Sequence, residues 1–196
     1  VDGFILDHGF QVLQTAYPEA KKQLNFDALN LQSFFPGVAV RVKGHNMVHI
    51  SDPVRRPQDL WGTLTSPVGT LMDRWRMVRL LLDNRQKGIN GVFESPDMET
   101  FDFLKSYGFS DSMIDEFFRP FFAGACLDPG IGASSRIFRY LFSVFSSGNA
   151  SLPAKGMGAI PSQLAERIPP DRILFGSKAA SLDKEGVILN SKESIK

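Results

Sequence analysis

One short run, Asp7-His8-Gly9-Phe10-Gln11, sets an acid, an imidazole, a glycine, a ring and an amide side by side. Gly9 has no Cβ, so the chain there can bend or let another group approach its backbone closely. His8 is the residue type best suited to general-base work near neutral pH. A lone histidine beside a bend is more often a hydrogen-bonded structural residue, so it is given no catalytic role. Glycine pairs recur at Gly130-Ile131-Gly132 and Gly156-Met157-Gly158. Neither has a third glycine, and neither clearly follows a core strand into a helix, so neither is the dinucleotide-binding fingerprint. The pair at 156–158 does open a helix, where backbone N–H groups stand free. Cys126 is the single cysteine, which excludes an internal disulfide and a multi-cysteine zinc site. It lies in an apolar stretch and reads as buried and inert.

The chain has 17 Phe against 3 Tyr and 2 Trp. Phe lacks a polar handle, so this bias suits either a tightly apolar interior or a pocket for an apolar ligand. Phe121, Phe122, Phe142 and Phe145 are the candidate cavity walls, and helical phenylalanine stripes of this kind also serve as plain core.

Positioning these residues requires strands, then helices, then strands. Val1 to Asp7 reads as a strand already in progress, and Phe4 to Leu13 continues it with a bend at Gly9. Pro18 to Leu24 reads as a short helix. Val38, Val40 and Val42 alternate, Lys43 to Asn46 turns, and Met47 to Ile50 returns, which is a β-hairpin. Val68 to Lys87 is the clearest helix, with Leu71, Trp75, Val78 and Leu82 at helical spacing and Gly88 at its end. Asp97 to Tyr107 and Asp111 to Phe122 are further helices; Ser134 or Ser135 caps another that Gly148 closes. Pro161 lies in the first turn of a last helix. Strands follow at Ile173 to Phe175, Ala179 to Leu182 and Val187 to Leu189. The fold class is α+β: a helical substrate domain over 16–152 with a β-hairpin, flanked by strand segment 1–15 and by a helix-plus-strands return over 153–196. A single free-standing α+β domain is the alternative. Both ends read as internal, so the chain reads as part of a longer protein.

Asp7 to Gln11, Phe117 to Gly124 (FFRPFFAG) and Ser151 to Ala165 (SLPAKGMGAIPSQLA), in this order, resemble the flavin-containing amine oxidase superfamily. The nearest likeness is to its phytoene-desaturase-like and protoporphyrinogen-oxidase-like branch, over nearly the whole chain. The resemblance implies an FAD-dependent oxidoreductase that passes hydride from substrate to flavin. It places Gly9, Phe10 and Gln11 beside the isoalloxazine ring; without it, Gly9 is a bulge glycine. It also puts a main-chain contact to the adenine at Ala179, where the family usually has valine. The phosphate-cradling motif lies outside these residues, so FAD would be held mainly by other parts and the chain alone would be inactive. The excess of phenylalanine over tyrosine favours a lipophilic small-molecule substrate; a plain amine oxidase, or a non-enzymatic module that holds an apolar ligand or partner, are the alternatives.

Lys and Arg number 22 against 21 acids, a net charge of +1 that argues against a nucleic-acid binder. Residues 55–87 carry seven basic against three acidic residues, and 94–116 one basic against seven acidic. Two solvated helix faces account for this, and peripheral membrane contact is the other reading. No metal site is expected. No signal-like segment precedes Val1, and an intracellular compartment, cytoplasmic or plastid, fits better than secretion.

Overall fold

The computed structural model describes residues 2–42, 47–52, 55–182, 184 and 186–190, with the backbone of 194–195. Strand β1 (Leu13–Gln14) leads to helices α1 (Pro18–Gln23) and α2 (Phe26–Leu29), then strands β2 (Leu31–Ser33), β3 (Gly37–Arg41) and β4 (Met47–Ser51). Helices α3 (Leu60–Leu64), α4 (Leu71–Glu94), α5 (Thr100–Tyr107), α6 (Asp111–Met113), α7 (Arg119–Cys126) and α8 (Ser135–Ser147) follow, with a π-helical turn at Ile114–Phe118 joining α6 to α7. Strand β5 (Ala150–Pro153), helix α9 (Ala159–Ala165) and strands β6 (Ala179–Leu182), β7 (Val187–Leu189) and β8 (Ser194–Ile195) complete the order. The fold is α+β, as expected.

β5 is the centre of the first sheet. Ser151 faces Leu13 of β1 on one side and Ser33 of β2 on the other, so residues 150–153 return beside the start of the chain. The β3–β4 hairpin forms with Val40 opposite Val48, while its expected turn at 43–46 lies outside the described residues. β6, β7 and β8 make a separate antiparallel sheet.

Four of the eleven buried residues of the core cluster are phenylalanines. Phe118, Phe122 and Phe138 are buried against Leu80, Leu104, Phe109, Met113 and Ile114. Edge-to-face contacts join Phe118 to Phe109 at 4.9 Å and Phe122 to Phe138 at 4.6 Å between ring centroids, the spacing at which ring quadrupoles attract.

Three expectations need correction. Residues 4–12 form no strand: Asp2 and Gly3 turn with positive φ, and the chain bends again at His8–Gly9. Ile173 to Phe175 is likewise not a strand, because the chain turns at Phe175–Gly176, with Gly176 at φ +70°. The third concerns α4. Gly88 does leave helical geometry (φ 64°, ψ 178°), but the chain re-enters the helix and runs to Glu94. The stripe Leu71, Trp75, Val78 and Leu82 faces outward, and Asp73, Leu80, Asn84 and Val92 face in. Hydrophobic periodicity assigns apolar residues to the interior. Here two inward positions are polar and fully bonded. Asp73 forms a capping box with Thr70, and Asn84 bridges to Arg139.

Candidate functional site

The first and third marked segments meet. Gly156 turns with φ +81° and donates its N–H to the Pro153 carbonyl at 2.9 Å. A Cβ there would lie 2.7 Å from Ile5 Cγ2 and 3.0 Å from Asp7 Oδ1, so glycine is needed for residues 5–7 to lie against it. The next N–H, of Met157, donates to Asp7 Oδ1 at 2.8 Å. An acid thus takes up a backbone donor exposed just ahead of α9, where anionic groups are favoured. Asp7 was absent from the sequence-derived site; the signal for it was an acid preceding the Gly9 bend together with a later glycine pair that must present free N–H groups.

Between this clamp at Asp7 and the β1–β5 ladder at Leu13, the chain bows outward. His8, Gly9, Phe10 and Gln11 are exposed, Phe10 to 87%. A Cβ on Gly9 would meet nothing within 4 Å. No neighbour within the described residues demands a glycine there, and no strand runs through residues 4–12 for Gly9 to interrupt as a bulge. His8 makes no hydrogen bond among the described residues, so it is not the bonded structural histidine expected. Just beyond the bow, the side-chain carbonyl of Gln14 is buried without a partner among the described residues. Sequence reasoning gave no signal for it, since Gln in a two-residue strand is usually half solvated.

Ala179 stands elsewhere. It is exposed on β6, opposite Leu189, and takes no part in the contacts that join Asp7 to Gly156 and Met157.

The phenylalanine set divides. Phe122 is buried in the core, and a space beside it, bounded by Thr100, Cys126, Ile131, Ala133 and Phe138, measures about 10 Å³, enough for no more than one water. Phe142 stacks on Phe138 at 6.1 Å. Phe121, 38% exposed, meets Phe145 edge-on at 5.3 Å and stacks on Phe117 at 6.3 Å. Phe121, Phe142 and Phe145 thus pack along the outer side of the aromatic cluster, less buried than Phe122. Cys126 is half-buried; burial, and then the nearby Asp128, push its thiol up, so it is a poor nucleophile. No cluster of metal-ligating side chains occurs among the described residues.

Residues 1–194 match the family model described as flavin containing amine oxidoreductase. The chain belongs to that family. No curated protein and no solved structure matches it. Family membership makes it a flavin-dependent oxidoreductase chain, and the bowed segment is open to a bound group. It offers a backbone with no side chain at Gly9, an exposed ring at Phe10 and an amide at Gln11, all without a competing protein neighbour at Gly9. A flat ring system can lie against such a segment, with backbone groups within van der Waals reach of one face.

Proposed function

We propose that the chain forms the flavin-facing edge and the substrate side of an FAD-dependent oxidoreductase acting on a lipophilic, uncharged substrate. The observation that carries this is the open bow at His8–Gln11, pinned at one end by the Asp7–Met157 hydrogen bond and at the other by the β1–β5 ladder. When bound, FAD supplies the two-electron acceptor for a hydride leaving a substrate C–H bond, and oxygen or another acceptor then reoxidises it. Gly9, Phe10 and Gln11 would hold the ring face, with Ala179 a main-chain contact toward the adenine. Residues 1–15 and 153–196 belong to the flavin side and 16–152 to the substrate side.

The charges near the aromatic rim support that substrate class. Asp115 pairs with Arg119 at 3.0 Å, and Asp128 accepts from the N–H groups of Gly130 and Ala133. A cationic amine brought to Phe121 and Phe145 would find these carboxylates already engaged, and its desolvation would cost several kcal/mol. An isoprenoid-like surface instead gains about 25 cal/mol per Å² buried.

The test is anaerobic reduction of the full-length protein loaded with FAD. A carotenoid precursor, protoporphyrinogen and a set of primary amines and polyamines are supplied separately while the flavin absorbance is followed. Bleaching by a lipophilic compound is expected. Bleaching by a polyamine alone would replace this reading with an amine oxidase.

A further inference from the structure

Both tryptophans of the chain are on the surface, Trp61 at 76% exposure and Trp75 at 59%. Tryptophan is usually well buried, so two exposed ones on neighbouring elements call for a reason. Trp75 belongs to the outward stripe of α4. At about 100° per residue, Leu71, Trp75, Val78 and Leu82 fall within an arc of about 60°. All four are exposed, Leu71 to 72%. α3, which carries Trp61, is held to the start of α4 by Arg74. Its guanidinium donates to the Thr63 carbonyl at 3.1 Å and to the Ser66 carbonyl.

The charges bordering the stripe have one sign. Arg74 and Arg85 lie along one edge and Arg79 along the other. Arg79 is more than half exposed and sits over the Trp75 ring at 5.9 Å. Of the acids in the first half of α4, Asp73 is buried, and Asp83 accepts from Tyr107 and pairs with Arg79 at 3.9 Å. Beside the Arg85 edge opens a groove of about 390 Å³, to which Lys21, Leu81, Arg85 and Ser147 contribute and to which no carboxylate contributes. Lys21 and Arg85 have no ion pair among the described residues.

We propose that α3 and the first half of α4 dock on an anionic lipid bilayer surface. Leu71, Trp75, Val78, Leu82 and Trp61 enter the headgroup boundary, and Arg79, Arg85 and Lys21 meet lipid phosphates. An exposed apolar stripe carrying tryptophan and edged by cations is the pattern of a helix lying in the membrane interface. Among the described residues no helix is long and apolar enough to cross a membrane, so the contact is peripheral.

The two tryptophans are their own probes. Full-length protein is titrated with phosphatidylcholine vesicles, with and without phosphatidylglycerol, while tryptophan emission and co-sedimentation are followed. A blue shift and sedimentation with the phosphatidylglycerol vesicles are expected. Arg79→Gln with Arg85→Gln should weaken partitioning roughly tenfold, since each surface cation contributes appreciably. Leu71→Ser with Leu82→Ser should abolish it; far-UV circular dichroism confirms that these exposed positions leave the fold intact. Three results would overturn the proposal. One is no shift with either vesicle. Another is emission already blue and shielded from acrylamide before lipid is added, meaning that another part of the protein covers the stripe. The third is self-association that the Leu71→Ser, Leu82→Ser protein loses, with no lipid binding, which would assign the face to a second copy.

Discussion

Asp73 and Ser110, 37 residues apart, are joined twice: the Ser110 N–H donates to Oδ1 at 2.9 Å and its hydroxyl to Oδ2 at 2.6 Å. Thr70 adds its own N–H at 2.8 Å and hydroxyl at 2.7 Å, and the carboxylate is completely buried. One side chain thereby fixes the start of α4 to the start of α6. Burial alone would raise its pKa, but the bonds from Ser110 and Thr70 outweigh burial and hold it at about 2, against an ordinary 3.8.

A pKa lower in the folded state means stabilisation that is complete above about pH 4 and lost as pH falls toward 2. Asp73→Asn should therefore cost about 2 kcal/mol near neutral pH, and the difference from the parent should shrink as pH approaches 2. Urea unfolding of both proteins across that range measures it. A constant difference at all pH values would mean that shape, not charge, gives Asp73 its role.

Gly156 and Gly9 should separate stability from cofactor retention. Gly156→Val places a branched side chain at positive φ against Ile5 and Asp7, and should cost 2 kcal/mol or more, read as a lower melting temperature of the flavin-free protein. Gly9→Val has open space around it and should leave that melt unchanged to within about 0.5 kcal/mol. Its effect should appear in the flavin-to-protein absorbance ratio of the full-length protein. An unchanged ratio would remove Gly9 from the flavin.

Within the aromatic group, depth should set the cost. Phe122→Ala empties a site that is 3% exposed and should lose about 3–4 kcal/mol, whereas Phe121→Ala at the rim should lose about 1. Denaturant midpoints report both. Phe121→Ala should also raise KM for a lipophilic substrate more than it lowers kcat, as removal of uniform binding does.

Arg139 is buried, donates from Nε to Asn84 at 2.8 Å and from Nη1 to Ser95 at 3.3 Å, and lies over the Phe103 ring. Arg139→Met should cost about 2–3 kcal/mol by stranding Asn84 Oδ1. Because the site is shielded from solvent, adding salt should change that penalty little.

Helix ends were readable because capping chemistry is local. Ser134 caps α8 through the N–H of Arg136, Gly148 ends it, and Gly108 turns off α5 with φ +100°. The hairpin was readable from alternating valines. What sequence concealed was direction and distance. The α4 stripe has ideal periodicity, but periodicity alone does not say which face is covered. Asp73 and Asn84 take the inside through bonds to partners far away in the chain, Ser110 and Arg139. Phe4, Ile5 and Leu6 are strand-forming side chains, yet the chain turns at Asp2–Gly3 and forms no strand there, since a strand needs a neighbour as well as a propensity. In the candidate site, Gly9 was found by type. Asp7 was missed because its partner lies 150 residues away.

The π-helical turn at Ile114–Phe118 gives the helical run from Asp111 to Cys126 one residue more than its length requires. An added residue in an ordinary α-helix would rotate everything after it by about 100°, and Phe122 would leave the core. In the wider turn, the surplus bulges aside while Phe118 and Phe122 both keep facing Phe138. Here the chain could shed a residue, such as the half-exposed Glu116, and close to regular α-helix with its aromatic face still in phase. In α5 or α8 the same deletion would scramble the face. Length variation along this run is thus expected to concentrate in a single turn.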